Sequence, residues 1–205
     1  MAYLFSGKIS DLLGAGLEGE LYAYHGTSAR AVEHLAEMGR MPISLSFGCD
    51  LYIAPLLPKV SREDQLRQAK VYAQWSEWKV RLLNALPFVP ADMKRVMFSY
   101  SDDGEYDALR DEAAKVGIGQ AKFYALHAGS KRGKGVVLSL SKRIQSLGLK
   151  PVPGRSPEER ILRVEAGLGI EYITGIEPLG DAEWKVIEAL AEGREPPDIY
   201  RDEGI

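Results

Sequence analysis

His25, Gly26 and Thr27 follow Leu21-Tyr22-Ala23-Tyr24, so a titratable ring stands beside a residue with no side chain and then a hydroxyl. That trio can form the edge of a ligand pocket. Imidazole changes charge near neutral pH, and glycine lets a planar group come close to the backbone. Further along, Tyr52 lies in Phe47-Gly48-Cys49-Asp50-Leu51-Tyr52-Ile53-Ala54, Tyr72 follows Ala69 by three, and Glu171 opens the run Glu171-Tyr172-Ile173. Flat tyrosine faces can stack on a ring at little entropic cost, and a fixed carboxylate can stabilise developing positive charge. Each position also has an ordinary alternative: a hydrogen-bonded structural histidine, a strand-core aromatic, a strand-edge charge.

The elements that must position these residues follow from periodicity. Leu21 to Tyr24 alternates as a β-favouring run that ends in a polar turn at His25-Gly26-Thr27, and Thr27 or Ser28 can cap a helix carrying Ala31, Val32, Leu35 and Ala36 before Gly39. Ile43 to Phe47 reads as a strand, and Leu51 to Ala54 as a second extended run ended by Pro55 and Pro58. Ser61-Arg62-Glu63-Asp64 is a helix-start pattern, and the apolar spacing carries that helix to Pro87, with Trp75 and Trp78 as its core or rim packing. Residues 88–119 form a connector with a helix from about Glu105 to Val116, stopped by Gly117. Lys122 to Leu126 and Val136 to Ser141 are expected strands joined by the glycine-rich loop His127 to Gly135. Arg160 to Glu165 and Glu171 to Ile176 read as strands, and Asp181 caps a closing helix through Leu190 before a polar tail at 194–205. Strands at both ends with helices gathered in the first half give an α+β class, and the 205 residues suit one domain with 1–20 as its lead-in.

Composition closes off several functions. A net charge of −3 and a pI near 5.7 supply no global basic field, which disfavours coating nucleic acid by charge alone. Three scattered histidines and the single Cys49 do not make a zinc site, so no metal is expected. Gly14-Ala15-Gly16-Leu17-Glu18-Gly19 has the spacing of a dinucleotide turn, but it follows a short helical stretch, Ile9 to Leu13, and precedes a strand, the reverse of the required context. The loop Lys131-Arg132-Gly133-Lys134 lacks a phosphate-loop order; it reads first as a solvated hairpin and is the one hint toward a phosphate backbone or acidic partner. No run of eighteen apolar residues is present and the first residues do not form a signal peptide, so no membrane partner is expected and the location is the cytoplasm, either of the producing cell or of a target cell.

Taken in order, Tyr24-His25-Gly26-Thr27, Phe47-Gly48 with Leu51-Tyr52-Ile53-Ala54, and Glu171-Tyr172-Ile173 resemble the His-Tyr-Glu branch of the ADP-ribosyltransferase superfamily, the diphtheria-toxin and poly(ADP-ribose) polymerase type. The resemblance spans Leu21 to Ile176 with the middle third unmatched. It implies a split antiparallel sheet with flanking helices and NAD as co-substrate. By that resemblance His25 would hold a ribose of NAD, Gly26 and Thr27 would form the nicotinamide edge, Tyr52 and Tyr72 would sandwich the ring, and Glu171 would act at the nicotinamide ribose, with Glu165 and Glu159 as fallback carboxylates. The Gly-Cys-Asp turn before Leu51 and the proline-bearing linker from Ala54 to Ala69 depart from the pattern, and Gly169 stands where a cholera-toxin type has its second glutamate. The implied activity is mono-ADP-ribosylation of a protein or nucleic-acid acceptor by a toxin or effector, which an antitoxin or immunity protein could neutralise. The rival expectations are an NAD glycohydrolase and an inactive domain that binds through the same cleft.

Overall fold

The computed structural model describes residues 3–15, 21–41, 50–55, 60–89, 103–151, 160–163 and 168–200. The early elements are α1 (Ser6–Leu12), β1 (Leu21–Thr27), α2 (Ala29–Met38), β2 (Arg40–Met41), β3 (Asp50–Pro55) and the 24-residue α3 (Arg62–Ala85). Two more helices, α4 (Asp103–Lys115) and α5 (Gln120–Ser130), precede β4 (Val136–Ser141). The chain closes with β5 (Leu149–Pro151), β6 (Arg160–Arg163), β7 (Leu168–Gly169), β8 (Ile173–Pro178) and α6 (Asp181–Ala191), with 3-10 turns at Lys142–Leu147 and Ile170–Tyr172.

Six strands form one sheet in the order β5-β6-β3-β1-β4-β8, every neighbour antiparallel, and β2 pairs with β7 apart from it. The class is therefore α+β. β1 and β4 take the middle because they are apolar on both faces; every residue of β4 is buried. One face packs Ala23, Leu138, Leu140 and Ile176 against α1, α2 and α6 through Ile9, Leu35 and Ile187. The other packs Tyr24 and Val137 against Ala69 and Ala73 of α3. A third cluster lies off the sheet, where Leu82 and Leu83 of α3 and its C-cap Leu86 meet Ala113 of α4 and Phe123 and Leu126 of α5.

Local signals explain the helix ends. Ser61 caps α3 by accepting from the Asp64 N–H (3.1 Å), and Gly39 ends α2 with a φ of +71°, a conformation glycine adopts at no steric cost. Several sequence expectations are corrected. Lys122 to Leu126 is helix, not strand: Phe123, Leu126 and Ser130 are buried at spacings of three and four, so the segment fills a helix-helix cluster. His127 to Ser130 therefore belong to α5, and the cationic loop joins a helix to a strand rather than closing a hairpin. Helices are spread along the chain, not gathered in its first half. β1 runs on through Thr27, so His25 and Gly26 are strand residues. The proposed strand Ile43 to Phe47, Gly48 and Cys49, and the fallback carboxylates Glu159 and Glu165 lie outside the described residues. Among the described residues no helix is long and apolar enough to cross a membrane.

Candidate functional site at the junction of β1, β3 and α3

β1 and β3 pair at only two places, Ala23 with Pro55 and Tyr24 with Ala54. Beyond them β1 continues with β4 as far as Thr27, and β3 continues with β6 from Ile53 back to Asp50, without pairing to each other. The hydrogen-bond phase follows from Pro55. Proline has no N–H, so Ala23 and Pro55 cannot exchange two bonds, and Tyr24–Ala54 is the bonded pair. Antiparallel strands alternate, so the N–H and C=O of Gly26 point to the same side as those of Tyr24, toward β3, where β3 no longer pairs. The peptide groups of Gly26, itself buried, thus face the stretch where β1 and β3 are not paired.

The face of Gly26 is closed by α3. A Cβ at Gly26 would overlap the Ala69 carbonyl oxygen and the Ala73 nitrogen and lie 2.9 Å from the Tyr72 carbonyl carbon. This refines the expectation that Gly26 lets a ring approach: the space above it is filled by helix backbone, and a ligand meets Gly26 at its edge. The same contact puts Tyr72 at the level of Gly26, half-buried, with its ring edge-on to Trp75 at 5.8 Å. In the register that pairs Tyr24 with Ala54, Tyr52 pairs with Ile161 of β6. His25 takes the opposite face with its partner Leu138; it is 8% exposed and engaged in a contact within the fold, as are Thr27 and Tyr72.

Glu171 is placed elsewhere. It is exposed, in the 3-10 turn before β8 rather than in a strand, with its carboxylate folded over Gly169. Ile173 is level with Leu140 and His25 with Leu138, so Ile173 stands about 10 Å across the sheet and about 7 Å along it from His25, and Glu171 lies two residues further out. β8 is also on the far side of β1 from β3, three strand spacings or about 14 Å from the strand of Tyr52. Glu171 is therefore not brought together with Tyr52 and Gly26. The strand that flanks β3 is β6, and Glu159 and Glu165 stand on either side of it in sequence.

A second polar cluster escaped sequence reading. Ser28 occupies the N-cap position of α2 but makes no side-chain cap; instead Glu77 Oε2 accepts the Ala29 N–H (2.9 Å). Glu77 is wholly buried, and its Oε1 pairs with Arg81 Nε (3.0 Å). Arg81 reaches Glu183 (3.0 Å), which accepts the Lys134 N–H (3.1 Å). The Arg30 N–H donates to the Tyr200 hydroxyl (2.8 Å), and the Arg30 guanidinium lies 4.6 Å over that ring. Burial pushes the Glu77 carboxyl up to about 7 against the pull of Arg81 and the Ala29 N–H, and burial followed by Glu77 and Glu33 raises the Tyr200 hydroxyl well above its ordinary value. The available signal was Glu77 in the stripe Ala69, Ala73, Glu77, Val80 that α3 buries, a charge on an apolar face.

Among the described residues no cluster of histidine, cysteine and carboxylate side chains could hold a metal. A cavity of about 530 Å³ between α6 and the tail, bordered by Lys185, Glu188 and Arg194, shares no residue with the β1–β3 opening. Set against family models, curated proteins and solved structures, the chain matches none of them.

Proposed function

We propose that the protein is an NAD-dependent mono-ADP-ribosyltransferase of the toxin or effector kind, acting at the opening between β1 and β3. The observation that carries this reading is the edge of Gly26. An N–H and a C=O of one residue, facing a gap between strands, match the carbonyl and amino groups of a primary carboxamide such as that of nicotinamide. Tyr72 on the helix across Gly26 and Tyr52 on β3 supply aromatic residues, and His25 is adjacent on β1. NAD is the substrate: its ribose–nicotinamide bond breaks, nicotinamide leaves with the electron pair, and the acceptor nucleophile joins the ribose carbon and gives up its proton. A carboxylate near that carbon stabilises the positive charge that gathers on the sugar.

The strand order bears on which carboxylate we propose. β6 lies directly beside β3, whereas β8 is on the other side of β1, so the reading favours Glu159 or Glu165 over Glu171. Purified protein with labelled NAD and cell lysate tests both levels. Glu159→Gln or Glu165→Gln is expected to lower nicotinamide release on the order of 10²-fold, the scale of removing a preformed electrostatic group, while Glu171→Gln retains it. Release without label in any macromolecule would make the protein a glycohydrolase. Absence of both release and NAD binding would overturn the reading.

A further inference from the structure

The outer side of α3 carries aromatic rings that lead away from the candidate NAD opening. Tyr72, level with Gly26, meets Trp75 edge-on at 5.8 Å, and Trp75 is 47% exposed, outside the core, which leaves the rim of the two places its periodicity allowed. Val71, one turn before Trp75, is exposed beside it. Two turns on from Tyr72, about 9 Å along the axis, Trp78 donates from Nε1 to the Gly133 carbonyl (2.7 Å) and has the Lys131 ammonium 5.7 Å from its ring centre. The cationic loop 131–134 is therefore anchored to the far end of this aromatic row, and Lys131 and Arg132 are exposed there.

The loop that Trp78 anchors contributes three exposed cations, Lys131, Arg132 and Lys134, although the whole chain carries −3. Over Arg67 to Ala85 of α3 the only carboxylate is Glu77, which is wholly buried and faces Arg81 and Ala29 instead of solvent. An exposed indole next to a pocket, with fixed cations one to two turns away and no carboxylate between them, suits a flexible polyanion that carries planar rings. An acidic peptide would use the cations and leave the indole unmatched. Single strands bind by stacking bases on aromatic faces while a basic track follows the phosphates.

We propose that single-stranded nucleic acid lies along the outer side of α3, a base stacked on Trp75 and phosphates on Lys131 and Arg132, and that it is the acceptor presented to the β1–β3 opening. The word acceptor rests on the ADP-ribosyltransferase reading; the binding surface does not.

The test uses the full chain and a fluorescein-labelled single-stranded DNA of mixed sequence, followed by anisotropy at several salt concentrations. Wild type is expected to bind with a log-log salt slope of about −1.4, the value for two phosphate contacts on a single strand. Trp75→Ala should weaken affinity at least about five-fold, the lower end for loss of one stacking ring, with the slope kept and Trp75→Phe restoring most of it. Lys131→Ala with Arg132→Ala should bring the slope near zero. No binding by wild type, affinity indifferent to Trp75→Ala, or equal competition by an oligoglutamate peptide would overturn the proposal. Nicotinamide release from NAD is measured on the same wild-type sample. Release without oligonucleotide binding defeats this proposal alone; binding without release defeats the transferase reading and the acceptor role, and supports the surface.

Discussion

Two sides of α3 put opposite demands on one helix. Its inner side carries Glu77 and Arg81 into a dry cluster with Ala29, Glu183 and the tail residue Tyr200, where every polar group named is matched to a partner from another element or the same helix. Its outer side leaves Trp75 and Val71 in water. A charge pair sits within the mostly apolar buried stripe while two apolar side chains stand outside, both departures from an ordinary amphipathic helix. The difference teaches where the molecule spends stability and where it keeps surface for contact. Buried charges cost desolvation, which at Glu77 outweighs the pull of Arg81 and the Ala29 N–H, while the cluster ties α2, α3, α6 and the tail into one arrangement around the end of β1. Exposed indoles add little to stability and are of use to a binding partner.

Substitutions on the two sides should separate accordingly. Glu77→Ala strands Arg81 and uncaps α2, and should cost about 3–5 kcal/mol in urea unfolding, the range for removing one member of a buried charge pair. A loss under about 1 kcal/mol would mean that water or rearrangement replaces the carboxylate and that the cluster holds nothing. Gly26→Ala drives a Cβ into backbone atoms of Ala69 and Ala73, which cannot swing away as a side-chain tip can. It should cost about 1–3 kcal/mol and displace Tyr72, so the NAD cleavage proposed above would fall as well. A stable, fully active Gly26→Ala would show that α3 does not seat on β1.

pH sharpens the inner half of the comparison. Glu77 titrates near 7 in the fold and near 4.5 when unfolded, so between those values the native state holds a proton that the unfolded chain has released. Its contribution is fully present below about 4.5 and is lost as pH rises through about 7. Relative to Glu77→Gln, which stays neutral, wild type should lose stability across that window in thermal or urea unfolding. Parallel pH curves for the two proteins would refute the assignment.

Smaller effects finish the series. Tyr200→Phe removes the hydroxyl that accepts from the Arg30 N–H and should cost about 1 kcal/mol while leaving the cation–ring contact. Trp75→Ala, on the outer side, should stay within about 0.5 kcal/mol of wild type even as oligonucleotide affinity drops. A large destabilisation there would make Trp75 a packing residue after all and erase the contrast between the two sides.

Legibility followed the range of the interactions. α2 with its Gly39 stop, α3 with its Ser61 cap and the apolar strands β1 and β4 could be read because cap, period and stop lie within a few residues of one another. α5 was misread because Phe123, Tyr124 and Leu126 satisfy both a strand and a helix template over five residues, and only packing against Leu82 and Leu86 chooses between them. Ser28 could be recognised as an N-cap position, yet the group that caps α2 comes from a residue 48 positions away. In the candidate site, His25, Gly26, Tyr52 and Tyr72 were legible as types in order. The position of Glu171 relative to them was not, because a strand's place in a sheet is set by hydrogen bonding between distant segments.

The sequence by itself determined an α+β chain with a strand that starts at Leu21, a long helix beginning at Ser61, and the order of the histidine, glycine and tyrosine types at the candidate site. These depend on backbone period, caps and side-chain chemistry, which are local. Only the tertiary structure decided that β3 leaves β1 after Tyr24, that α3 seats on Gly26 with Glu77 inside and Trp75 outside, and that β6 rather than β8 neighbours the strand of Tyr52. Those choices are made by burial and by pairing between strands far apart in the chain, and no short window of residues contains both partners.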